Sequence, residues 1–167
     1  MKIAIAQINS TIGDFDGNSN KIVDAWQRAD TAGAELVVLP ELALCGYPPR
    51  DLLAKQVFLR QNQSALDRLA KRSGKAIAVV GYASANKTNS GRPAQNSAAV
   101  LQDGQVTAVR HKTLLPTYDV FDEDRYFEPA TDNTPVDIHG TKVGITICED
   151  IWNDEVYLHD RRYDRRP

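Results

Sequence analysis

Residues 35–40 read ELVVLP. Leu36, Val37, Val38 and Leu39 are consecutive and apolar, and a run so short and β-branched fits a buried strand better than a helix. Pro40 has no N–H to give to a ladder, so the strand stops there. Glu41 then stands just past a strand's C-terminal end, a position that the rest of the chain repeats.

Upstream, Lys2–Gln7 carries Ile3 and Ile5 against Ala4 and Ala6, with Ile8 beyond. Both faces are apolar, which predicts a strand covered on both sides. GDFDGN (13–18) reads as a loop. Asn18 or Ser19 is expected to cap a helix whose stripe is Ile22, Val23, Trp26 and Ala29, closed by Gly33. Downstream, GYPPRD (46–51) is a loop by its prolines. From about Leu53 to Arg72, Val57, Leu59, Leu66, Leu69 and Ala70 outline a second amphipathic helix ended by Gly74. KAIAVVGYAS (75–84) is another strand, and 86–93 a polar surface loop.

Asp103-Gly104, between two strand-like runs, is a strong signal for a two-residue hairpin turn. TLLPTYDVFDEDRYFEPATDN (113–133) has no period and reads as a long aromatic, acidic loop, a kind that tends to be functional. PVDIHGTKVGITIC (135–148) predicts a last hairpin turning near His139-Gly140, with 144–147 a strand ended by Cys148. Strand–helix alternation followed by a meander predicts a mixed sheet with helices on one side. No internal repeat and no interdomain linker interrupts the pattern.

The whole chain bounds the function. Its 167 residues suffice for one domain with a real core. A net charge of −2 gives no reason to invoke nucleic acid. The apolar start is too short for a secretory signal and no run is long enough to span a bilayer, so a cytoplasmic location is the default. Two cysteines in such a chain are expected as free thiols. The sequence closes on YLHDRRYDRRP (157–167), a basic run with no closing element of its own; it reads either as a frayed terminus or as a cut inside a larger domain.

Glu41 follows LVVLP, Lys112 follows TAVRH and Cys148 follows GITI. If the strands run in the same sense, one sheet edge receives a carboxylate, an ammonium and a thiol. A free thiol is only a few per cent thiolate near neutral pH, so a nucleophilic Cys148 needs a base. Glu41 can take its proton and return it to a leaving amine, and a carboxylate in a dry pocket has the raised pKa that suits this. Lys112 can stabilise a thiolate and the oxyanion formed at an attacked carbonyl. Taken singly, each residue has a plainer reading: a small buried hydrophobe, a solvated loop acid, a surface lysine. No cysteine–histidine pairing stands out among His111, His139 and His159.

PELALCGYPPRDLL (40–53), HKTLLPTYDVFDEDRYFEP (111–129) and GITICEDIWND (144–154) together resemble the nitrilase, or carbon–nitrogen hydrolase, superfamily. More narrowly they are similar to the glutamine-hydrolysing domains of glutamine-dependent NAD⁺ synthetases, and the resemblance covers essentially the whole chain. It implies an α/β fold (α+β in some schemes), the nitrilase-type α-β-β-α sandwich, here incomplete at the C-terminus. Residues 1–167 are then the N-terminal part of a glutaminase domain. The resemblance puts the family's catalytic triad on Glu41, Lys112 and Cys148, and its supporting glutamate on Glu123. It puts glutamine-binding positions on Tyr118 and Glu149, with Phe121 as a pocket wall.

By the same resemblance, Cys148 attacks the glutamine side-chain amide, ammonia leaves, and water hydrolyses the thioester. A synthetase domain of the same polypeptide is implied as partner, with homo-oligomers in the full-length form. ATP and Mg²⁺ belong to that domain, and no metal or cofactor is expected in this chain. The phosphate-cradling pattern G-x-x-x-x-G-K-[ST] does not occur in it. Two other readings stay open: an amidase acting on another small carboxamide, and a catalytically inert fragment.

Overall fold

A computed structural model describes residues 1–88 and 90–152; the basic run 157–167 lies outside the described residues. Strands β1 (Ile3–Ile5), β2 (Leu36–Val38), β3 (Ile77–Ala85), β4 (Ala94–Gln102) and β5 (Gln105–His111) form one sheet in that order. β1, β2 and β3 are parallel, while β4 and β5 are added antiparallel. Parallel neighbours need crossovers. Helix α1 (Phe15–Thr31) supplies one, and α2 (Gln56–Ala70) the other after a short 3₁₀ turn, Arg50–Ala54. A separate hairpin pairs β6 (Val136–Ile138) with β7 (Thr141–Val143).

Alternation along each strand sends side chains to two layers. On one side Ala78, Val80, Tyr82, Ala99 and Leu101 pack beneath both helices, against Ile22, Trp26, Leu66 and Leu69. On the other, Leu36, Ile77, Val79, Ala98 and Val100 meet Val136 and Ile138 of the hairpin and Ile145 and Ile147 beyond it. The result is a mixed α/β sheet with both helices on one face and the hairpin on the other, part of the nitrilase-type sandwich that the resemblance implies. Both hairpin turns stand where the sequence puts them, with Asp103-Gly104 and His139-Gly140 at positive φ. That conformation matches the right-handed strand twist.

Four local expectations are corrected. Helix α1 starts earlier, because the Asp14 side chain accepts from Gly17 N and caps it. Asn18 lies inside the helix, buried, and ties it to the Thr11 and Leu44 carbonyls. In α2 the inward residue is Phe58, while Val57 is exposed. Ile3 and Ile5 are also exposed, since among the described residues nothing covers that part of the face they share with Leu36 and Val38. Residues 144–147, expected as strand, join no ladder among the described residues, and Cys148 opens a 3₁₀ turn, Cys148–Trp152.

Candidate active site

Two reversals of direction across β4 give β5 the same sense as β2 and β3. Glu41 and Lys112 therefore leave the sheet at one edge. The backbone carrying Glu41 lies across β3, with Leu39 N donating to Val79 O and Leu44 N to Gly81 O, both at 3.0 Å. Only glycine permits so close a crossing at position 81. A Cβ there would stand 2.4 Å from Leu42 N and 2.4 Å from Pro40 O. Both obstacles are backbone, so an alanine would have to displace the segment that holds Glu41.

Lys112 is fully buried, and its ammonium is gripped by two carboxylates: Glu41 Oε1 at 2.7 Å and Glu123 Oε2 at 2.8 Å. Burial opposes the charge on Lys112, but Glu41 and Glu123 outweigh it and hold its pKa above the ordinary lysine value. Asn96, also buried, donates through Nδ2 to Glu41 Oε1 at 2.7 Å, and Tyr47 OH donates to Glu123 Oε1 at 2.9 Å. Burial, then repulsion from Glu41, pushes the Glu123 pKa up, with Lys112 opposing. Both contacts on Glu41 fall on Oε1. Its other oxygen, Oε2, takes no hydrogen bond among the described residues.

Cys148 completes the group from the other layer. It is an exposed free thiol lining, with Glu41, a cavity of about 510 Å³ between the sheet and residues 143–148. Its φ of 48° lies in the left-handed region, a conformation that a cysteine holds only where its surroundings impose it, and one that recurs at functional sites. Burial of part of the thiol and the Glu41 charge push its pKa up; Lys112 pulls it down without prevailing. The pull of Lys112 toward the thiolate is therefore outweighed by burial and by the Glu41 charge. One consequence is testable. Glu41→Gln removes a charge that raises the thiol pKa, so the pH profile of Cys148 alkylation by iodoacetamide will move to lower pH and its rate near neutrality will rise. An unmoved profile would show that Glu41 does not act on the sulfur.

The remaining sequence candidates gather nearby. Glu149 is buried and its Oε2 accepts from Tyr118 OH at 2.8 Å. Phe121 packs edge-on to Tyr118 with centroids 5.7 Å apart, and lies 6.4 Å from the Tyr47 ring. Strand alternation does not separate Glu149 from Cys148, because the two begin a 3₁₀ turn. Reading the sequence misses Asn96 and Tyr47: an asparagine in a strand and a tyrosine before two prolines carry no local sign of a carboxylate 55 or 76 positions away.

The profile of the carbon–nitrogen hydrolase family matches residues 2–161, and the chain belongs to that family. Within it, the glutamine-dependent NAD(+) synthetase of Synechocystis sp. is 44% identical over 169 residues, covering 99% of this chain and 30% of that protein. Among solved structures, the glutamine-dependent NAD⁺ synthetase of Acinetobacter baumannii in complex with ADP superposes with a TM-score of 0.80 at 37% identity. The match covers 90% of this chain and 28% of that one. An amidase from Nesterenkonia sp. superposes with a TM-score of 0.71 at 26% identity, over 90% of this chain and 56% of the amidase. The chain thus spans less than a third of the synthetases it matches and corresponds to their N-terminal portion.

Proposed function

We propose that this chain carries the glutaminase centre of a glutamine-dependent NAD⁺ synthetase, with Glu41, Lys112 and Cys148 as its catalytic residues. The observation that carries this reading is the buried Lys112 ammonium held between Glu41 and Glu123, beside a cavity that Glu41 shares with Cys148. A buried charge is tolerated only when paired. One so fixed offers a preset positive field to an oxyanion at no cost of reorganisation.

The proposed steps are those that the family resemblance implies, assigned to these atoms. Glu41 Oε2 takes the Cys148 proton as Sγ attacks the side-chain amide carbon of glutamine. The carbonyl π-electrons move to oxygen, and Lys112 stabilises that oxyanion. As the carbonyl re-forms, the C–N bond breaks and Glu41 returns its proton to the nitrogen, so ammonia leaves and a γ-glutamyl thioester remains on Cys148. Glu41 then takes a proton from water, whose oxygen attacks the thioester. Glutamate departs, and the proton returns to sulfur. Glu123 and Asn96 hold Lys112 and Glu41 in place.

Glu149, buried beside Tyr118, is assigned to the α-ammonium group of glutamine, with Phe121 as a wall. The released ammonia would amidate nicotinate-adenine dinucleotide in a synthetase part of the same protein, where ATP and Mg²⁺ would act. Among the described residues no group of three or more His, Cys, Asp and Glu is placed to hold a metal ion, and no step above runs through one. No described helix is long and apolar enough to cross a membrane.

The likeness to the Nesterenkonia amidase favours a second reading, hydrolysis of another small carboxamide. Ammonia release from glutamine and from its des-amino analogue separates the two. The glutamine reading expects the analogue to lose about 100-fold in kcat/KM, the order of one lost charge-assisted contact to the substrate ammonium. Equal turnover would leave Glu149 without its assigned role and favour the amidase.

A further inference from the structure

Asp150 belongs to no step above, yet it is buried and makes three backbone contacts. Its Oδ1 accepts from Thr113 N at 3.0 Å and Leu114 N at 2.9 Å, while Oδ2 accepts from Ile147 N at 3.0 Å. Thr113 and Leu114 directly follow Lys112, and Ile147 directly precedes Cys148. One planar carboxylate therefore joins the segment that carries the ammonium to the segment that carries the thiol. Among the described residues neither segment is held to the other by a strand ladder, since 113–114 and 144–147 lie outside every strand.

We infer that Asp150 is a positioning residue that sets the separation of Cys148 from Lys112; for catalysis the inference rests on the glutaminase reading, but the geometric claim stands without it. The chemistry requires a carboxylate. Three N–H donors approach from two sides, and only a group with an acceptor at each oxygen meets them all. An asparagine that keeps its carbonyl toward Thr113 and Leu114 turns an amide N–H against Ile147 N–H. The 3₁₀ turn is then released just before Cys148, whose φ of 48° is held there. Misplacing a reacting atom by about 1 Å costs about 100-fold in rate.

The test compares Asp150→Asn and Asp150→Glu with the wild-type chain in two assays. One is steady-state ammonia release from glutamine, split into kcat and KM; the other is the pH profile of Cys148 alkylation by iodoacetamide. Positioning predicts that kcat falls about 100-fold, with KM changed less than about threefold, at temperatures well below each variant's Tm. It also predicts an alkylation profile displaced from wild type, because the turn that holds the thiol has moved. Asp150→Glu keeps the charge and places it one methylene further out, so it reports if the asparagine variant does not fold. A folded variant with wild-type kcat and an unmoved profile would overturn the inference, leaving Asp150 a stabilising contact only. If the wild-type chain releases no ammonia, the glutaminase reading fails and the alkylation profiles alone decide the role of Asp150.

Discussion

Replacing Cys148 by alanine will abolish ammonia release from glutamine, by about 10⁴-fold or more, with little change in Tm. The size follows from the role: without the sulfur no thioester forms, and triad members removed singly cost rates of this order. Stability is spared because Cys148 is exposed, and exposed substitutions stay within about 0.5 kcal/mol. Cys45 is the internal control. It is fully buried, and burial pushes its thiol up to about 12, so it is an inert core residue. Cys45→Ala will retain ammonia release, and the pair of variants assigns the activity to one sulfur.

Lys112→Met will fail in two separable ways. Glu41 and Glu123 lose the cation between them, and leaving one member of a buried pair unpaired costs about 3–5 kcal/mol. Catalysis loses its oxyanion partner, worth about 10²–10³-fold in kcat. The stability loss carries a pH signature. Glu123 already has a raised pKa from burial and from Glu41, and removing Lys112 takes away the opposing pull. A carboxylate whose folded pKa lies above its unfolded value contributes stability at low pH and loses it as pH rises through the folded value. Denaturant titrations will therefore find Lys112→Met closer to wild type in mild acid than above neutrality. Adding Glu123→Gln removes one of the two stranded charges. The double variant will recover much of the stability and none of the rate. Recovered rate would mean that Lys112 serves only to hold the fold.

Much of this architecture is legible from local pattern. Buried runs such as LVVL, the Asp103-Gly104 turn and the Ile22–Trp26 stripe carry their own physics, so the strand and helix order follows from them. The failures are tertiary. Asn18 and Ser19 are sound capping residues, yet Asp14 caps the helix while Asn18 is spent on distant carbonyls. GITI has strand composition, but a strand is defined by a partner, and none among the described residues pairs with it.

The site divides in the same way. Glu41, Lys112 and Cys148 stand out together because each sits at or just past a strand-like run, and the family resemblance proposes them as a triad; Tyr118, Phe121, Glu123 and Glu149 are proposed through that resemblance alone. What the residues alone do not reveal is that Lys112 is wholly buried, because its burial depends on carboxylates 71 positions before it and 11 after it. Tyr47, Asn96 and Asp150 are invisible for the same reason: each matters through what it touches across the fold.

The central claim is that Cys148 Sγ becomes acylated by the glutamine side chain. The direct measurement is an acid quench of the chain during turnover of isotopically labelled glutamine, followed by mass spectrometry of its peptides. The account predicts a γ-glutamyl adduct on the peptide containing Cys148, absent from Cys148→Ala and discharged by water as free glutamate. Ammonia release with no adduct at Cys148 under conditions that preserve thioesters, or with the label on Cys45, would contradict it.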